Sequence, residues 1–247
     1  MNRGAGSRAG LAIPVAVMLT CAACGSADGT VTVLAASSLT DVMSEVESQL
    51  ESADPGLDLQ ISYAGSSQIV QQVNEGIDAD VLLLAGETAL AGLDAGAQVA
   101  EPVYFATNTL AIAVAPGNPA GVTSVADLGR DDVLVVLCAE QVPCGAAAAT
   151  MFEQAGATPG VDSYEPDVRA VLSKIAAGEA DAGIVYVTDV GAATPPVEAI
   201  DIPDDVNVVN RYPALVVGDS EAGAAVVADL QTPQVTALFE QAGFGLP

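Results

Sequence analysis

Hydrophobic and polar positions along the chain follow two periods in turn. The largely apolar runs VTVLAA (31–36) and DVLLLAG (80–86) and the alternating LDLQISYA (57–64) read as strands. Between them, segment 40–51 carries Val42, Val46 and Leu50 at four-residue spacing, which gives a helix one buried face. Segment 67–75 reads as a second helix. Asp54-Pro55-Gly56 and Asn74-Glu75-Gly76 end the two. Strand, helix, strand at these lengths predicts right-handed βαβ units in a parallel sheet.

A second series follows. TLAIAVA (109–115) reads as a buried strand, VTSVADL (122–128) as a short helix and DVLVVLCAE (132–140) as a strand. PCGAAAATMFEQAG (143–156) and EPDVRAVLSKIAAGEA (165–180) are helical, and AGIVYVT (182–188) is a strand. VNVVNRYPALVVG (206–218) returns as extended chain, and 221–244 closes as helix interrupted at Pro233. This order predicts two α/β lobes. The first comprises 31–107 and 213–247, the second 108–212.

Three loops after strands are rich in small or hydroxylated residues: AASSLTD (35–41), SYAGSSQIV (62–70) and EQVPCGAAAA (140–149). In open α/β sheets, ligands bind beyond the carboxyl ends of strands. Any one of these loops alone is explained as a helix cap, since serine at an N-cap is simply stabilising. Three in one chain point further. Helix N-termini present unpaired N–H donors and partial positive charge, a ready site for an oxyanion that needs no lysine or arginine.

Composition narrows the chemistry. The 247 residues contain no His, which excludes Ser-His-Asp and Cys-His catalysis. Six Lys and Arg stand against 32 Asp and Glu, for a net charge of −26, so nucleic acid is repelled and excluded as a partner. At the N-terminus, two arginines precede the apolar stretch LAIPVAVMLT, the layout of a secretory signal too short to span a membrane. Ala22-Ala23-Cys24-Gly25-Ser26 resembles a bacterial lipoprotein cleavage box. This reading gives a signal peptide at 1–23, a lipid anchor on Cys24 and a tether at 24–30, although Cys21 stands where Leu is usual. Ordinary cleavage without lipid is the alternative. Cys138 and Cys144 then remain in an oxidising, exported setting, and a disulfide is the expected outcome, with a reactive Cys144 as the alternative. No cation-binding metal cluster is expected there.

The blocks VTVLAASSLTDVM, SYAGSSQIVQQV, QVPCGAAA, EPDVRAVLSKIAAGEADAGIVYVTD and RYPALVV, in this order from residue 31 onward, resemble the periplasmic molybdate-binding proteins of molybdate ABC transporters. The resemblance implies a type II periplasmic-binding-protein fold, with each lobe a mainly parallel sheet flanked by helices and the ligand in the interlobe cleft. It implies a dehydrated oxyanion, molybdate or tungstate, held by two serines, backbone N–H groups and a tyrosine hydroxyl. Carried over by motif, these are Ser38, Ser66, the N–H groups of Cys144 and Val168, and Tyr186. Ser37 and Ser67 are the respective alternatives to the two serines. It further implies a non-enzymatic, monomeric receptor without cofactor that hands its anion to a membrane permease. Sulfate is the alternative ligand. An exported hydrolase using Ser38 or Ser66 is the alternative from another class. Arg169 is expected in a structural ion pair and not at the anion. The chain departs from the pattern at Cys144, where a small residue is expected, and at Gly86, where an Asp is expected.

Overall fold

The computed structural model describes residues 1–2, 29–94 and 101–247. Residues 3–23 of the expected signal peptide, Cys21 among them, and the expected anchor Cys24 lie outside the described residues. In chain order the first elements are strand β1 (Thr30–Ala36), helix α1 (Thr40–Ala53), β2 (Asp58–Ala64), α2 (Ser66–Asn74), β3 (Val81–Leu83) and β4 (Val103–Asn108). Then come β5 (Leu110–Val114), β6 (Val135–Cys138), α3 (Pro143–Ala155), β7 (Val161–Glu165), α4 (Val168–Ala176), β8 (Ala182–Tyr186) and the short α5 (Val187–Gly191). The chain ends with β9 (Glu198–Asp201), β10 (Asn210–Val216), α6 (Glu221–Asp229) and α7 (Pro233–Gln241).

The strands form two five-stranded sheets, ordered β2-β1-β3-β10-β4 and β7-β6-β8-β5-β9. In each sheet four strands run one way and one, β10 or β5, runs against them. The mixed α/β, mainly parallel architecture is thus the one expected, with an antiparallel strand inserted in each sheet. The inserted strands have a simple origin. The chain crosses from the first sheet to the second through Thr109 alone, and on returning it pairs Asn210 with Asn108 in antiparallel register.

Burial follows the apolar pattern. β3, β5, β6 and β8 are buried throughout, as befits strands covered on both faces. In the first sheet, Val33 and Leu83 face a core shared with Met43, Phe105 and Phe239, while Leu34 and Leu82 face one built on Ile69 and Val70. One further core, around Ile112, Val136, Phe152 and Ile184, serves the second sheet. Three strands escape the hydrophobic pattern. β7 and β9 are edge strands with alternating or largely exposed positions, and β4 is separated from β5 only by the polar junction Thr107-Asn108-Thr109. Segment 122–128 is a 3-10 turn at Val125–Gly129 and not a regular helix, and the C-terminal helix is divided in two, with Pro233 opening α7.

Candidate functional site

The helices that follow β2, β6 and β7 begin on one side of the cleft between the sheets or the other, and their first turns converge. Gly65 is the N-cap of α2, Pro143 and Cys144 open α3, and Asp167 is the N-cap of α4. A 3-10 turn at Ser37–Leu39 brings in the end of β1. Each start is legible locally. Proline suits the first turn of a helix, where no N–H partner exists to lose. The Asp167 carboxylate accepts from the N–H groups of Arg169 and Ala170 at 2.8 and 3.0 Å.

These turns enclose a cavity lined by all five residues singled out from the sequence, Ser38, Ser66, Cys144, Val168 and Tyr186. The cavity is small, about 20 Å³, in scale with a solute of a few heavy atoms. Ser38, Ser66, Cys144, Val168 and Tyr186 are each no more than 5% exposed. The backbone N–H groups of Cys144 and Val168 lie in first helical turns, where no intrahelical carbonyl reaches them, and they donate no hydrogen bond among the described residues.

The paired serines separate cleanly. Ser37 Oγ donates to Asp167 Oδ1 at 3.3 Å, and Ser67 Oγ donates to the Gln141 carbonyl at 3.1 Å, so both protons are committed across the cleft. Ser66 Oγ instead accepts from the Ala85 N–H at 2.9 Å, and Ser38 Oγ lies 3.1 Å from the Tyr212 hydroxyl. Tyr186 Oη accepts from Asn210 Nδ2 at 2.9 Å. Burial holds the Tyr186 hydroxyl well above the ordinary phenol range, so it is a neutral donor at any physiological pH.

Cations are absent from this lining. All four basic side chains of the described region are paired with carboxylates: Arg130 with Asp132, Lys174 with Glu165, Arg211 with Glu87, and Arg169 with both Asp41 and Asp189. Arg169 thus sits in the ion pair expected of it, and through Asp41 it ties α4 to α1. Cys138 and Cys144 are joined in a disulfide that fastens the end of β6 to the first turn of α3. At position 86 the departure has a steric reason. Gly86 has φ +108°, and a Cβ there would stand 3.0 Å from both Pro143 Cβ and Asn210 Oδ1. Any side chain at this position, aspartate included, is both crowded and strained. Asn108, Asn210 and Tyr212 beneath the cavity were not singled out from the sequence. Their one signal is polarity inside otherwise apolar strands, since all three are buried.

Two sheets linked by crossover strands, with helix N-termini from both meeting at one small cavity, define the class of two-lobed solute-binding proteins. The chain belongs to the family of bacterial extracellular solute-binding proteins, whose model matches residues 31–245. It is 35% identical over 225 residues to the molybdate-binding protein ModA of Mycobacterium tuberculosis, covering 88% of this chain and 85% of that one. Among solved structures, the periplasmic molybdate-binding protein of Azotobacter vinelandii superimposes with a TM-score of 0.77 at 19% identity, over 88% of this chain and 99% of that one. The sulfate-binding protein SubI of Mycobacterium tuberculosis superimposes with a TM-score of 0.73 at 20% identity, over 87% and 86% of the two chains.

Proposed function

We propose that this chain is an exported receptor that captures molybdate, and tungstate with it, and delivers the anion to an ABC importer. The observation that carries the reading is the chemistry of the cavity: five buried groups converge on a space for one small solute, and each has a hydrogen to donate. Ser38, Ser66 and Tyr186 offer hydroxyls, and Cys144 and Val168 offer backbone N–H groups. Hydrogen bonds to a charged acceptor in a dry pocket are the strong kind. The identity to ModA over most of both chains favours molybdate among tetrahedral dianions.

The two sheets with their helices move as two lobes about the crossovers at 108–110 and 202–210, and the closed form buries the anion. Asn108 and the residues from Asn210 to Tyr212 stand on the first sheet and not on the second lobe, where the sequence places them. The Arg169–Asp41 pair and the Ser37–Asp167 and Ser67–Gln141 hydrogen bonds reach across the cleft and support a closed geometry. The receptor performs no catalysis and works as a monomer, held to the outer face of the membrane by lipid on Cys24. Sulfate is the second reading, because neutral donors suit any tetrahedral dianion and SubI shares the fold.

Thermal melting of the mature domain with molybdate, tungstate, sulfate and phosphate in parallel tests this. A ligand present at a thousand times its Kd adds about 4 kcal/mol of stability, several degrees in Tm. A shift with molybdate and tungstate alone is expected. A shift with sulfate alone would transfer the assignment to that anion, and no shift with any would overturn the oxyanion reading.

A further inference from the structure

The lining hydroxyls are themselves hydrogen-bonded from behind, and the direction of those bonds carries information. A hydroxyl has one proton and two acceptor positions, so its role at a ligand depends on which of these is already engaged. Ser66 Oγ receives the Ala85 N–H at 2.9 Å, and Tyr186 Oη receives an amide hydrogen of Asn210 at 2.9 Å. Tyr212 Oη lies 3.1 Å from Ser38 Oγ, and Asn108 Nδ2 approaches the same Tyr212 oxygen at 3.5 Å. Either oxygen of the Tyr212–Ser38 pair can be the donor; the amide hydrogen that Asn108 directs at Tyr212 Oη favours the arrangement in which Tyr212 donates to Ser38. For Ser66 and Tyr186 a buried donor fills an acceptor position of the hydroxyl, and in the favoured arrangement Tyr212 does the same for Ser38. No described carbonyl or carboxylate accepts the proton of Ser38, Ser66 or Tyr186, in contrast to Ser37 and Ser67.

We infer that Asn210 and Tyr212 are positioning residues, which act through Tyr186 and Ser38 to keep those hydroxyl protons aimed into the cavity. The Ala85 N–H does the same for Ser66 from the backbone. The inference rests on the oxyanion reading above and deepens it. A hydroxyl free to rotate must be oriented when the anion arrives, and in a water-excluded pocket it can equally present a lone pair, which repels a dianion. One filled from behind is ready to donate. Burial leaves these second-layer groups little alternative: Asn108 and Asn210 are 4% and 8% exposed and Tyr212 is fully enclosed, so their polar atoms must bond to one another or to the lining.

Two double-mutant cycles test this, read by calorimetric titration with sodium molybdate, and with sodium sulfate if the unsubstituted protein takes sulfate instead. Asn210→Ala is combined with Tyr186→Phe, and Tyr212→Phe with Ser38→Ala. The first substitution of each pair is expected to weaken binding about five- to tenfold in the native background, the size of one lost hydrogen bond. In the Tyr186→Phe or Ser38→Ala background the same substitution should change Kd less than about twofold, because the hydroxyl it acts through is gone. A merely structural role predicts equal factors in both backgrounds, and that result would overturn the inference while leaving the receptor assignment standing. If the unsubstituted protein binds no oxyanion, the receptor reading falls first and this inference falls with it. Tyr212→Phe keeps the ring and its packing, so that cycle remains readable should Asn210→Ala fail to fold.

Discussion

Asp189 offers the sharpest test of the electrostatics around the site. Its side chain is fully enclosed, with Oδ1 2.9 Å from Arg169 Nε and Oδ2 accepting from the Tyr186 N–H at 3.2 Å. The Arg169 contact is poorly directed for a hydrogen bond and acts as a charge contact. Burial raises the Asp189 pKa to about 7, outweighing the opposing pull of Arg169 and of the Tyr186 N–H. The folded state therefore holds a proton that the unfolded chain, titrating near pH 4, has already released. The stability this group contributes is full below about pH 4 and is lost as pH rises through 7. The loss runs at about 1.4 kcal/mol per pH unit and amounts to something on the order of 4 kcal/mol in all. Asp189→Asn keeps the shape and cannot titrate. Urea denaturation of both proteins at pH 5, 6, 7 and 8, without reductant, isolates the group by difference. The stability of the native protein relative to the variant should fall between pH 5 and 7 and level off above. A relative stability that rises with pH would mean that the Arg169 ion pair dominates desolvation, and the reasoning would be refuted.

Three further expectations follow from the geometry of the cavity. Ser38→Ala and Ser66→Ala should each weaken molybdate binding about ten- to hundredfold by calorimetry, the loss of a charge-assisted hydrogen bond, whereas Ser37→Ala and Ser67→Ala should cost far less. Replacing Cys138 and Cys144 together by Ser removes a cross-link that spans six positions and should lower stability by about 2 kcal/mol in urea denaturation. Gly86→Ala should destabilise the protein by at least about 1 kcal/mol, since φ +108° and the 3.0 Å approach to Pro143 both oppose a Cβ; an unchanged Tm would contradict this.

The sequence was most legible where burial is complete. The fully covered strands, the amphipathic α1 and the proline-started helices all announce themselves through apolar runs, spacing and breakers. The lining residues were legible for a related reason. A ligand held at helix N-termini leaves a local signature of serine, glycine and proline at strand ends, and the family blocks add order. The edge strands β7 and β9 were not legible, because their partial burial thins the apolar run, whereas the edge strand β2 kept enough alternation to be read. Nor could Tyr212 and Asn210 be recognised. Their roles depend on partners 174 and 24 residues away, Ser38 and Tyr186 respectively, and no local pattern encodes such pairings.

Those distant pairings also place the second layer at the point where the lobes join. Asn108 ends β4 at the outgoing crossover, and Asn210 begins β10 at the returning one. Asn108 Nδ2 reaches Thr188 of α5 at 2.8 Å as well as Tyr212, and Asn210 reaches Tyr186 at the end of β8. The two asparagines therefore bond elements that stand on the second sheet while belonging themselves to the first. The proposed rotation of the sheets about the crossovers would lengthen or turn these bonds as it opens the cavity. On the proposed lobe motion, the same amide inferred to direct the Tyr186 hydroxyl would be released when the lobes part, so that donor alignment and lobe closure would be coupled. An anion that draws the hydroxyls inward favours the closed arrangement by its differential contacts, which is the thermodynamic requirement for a ligand to shift such an equilibrium.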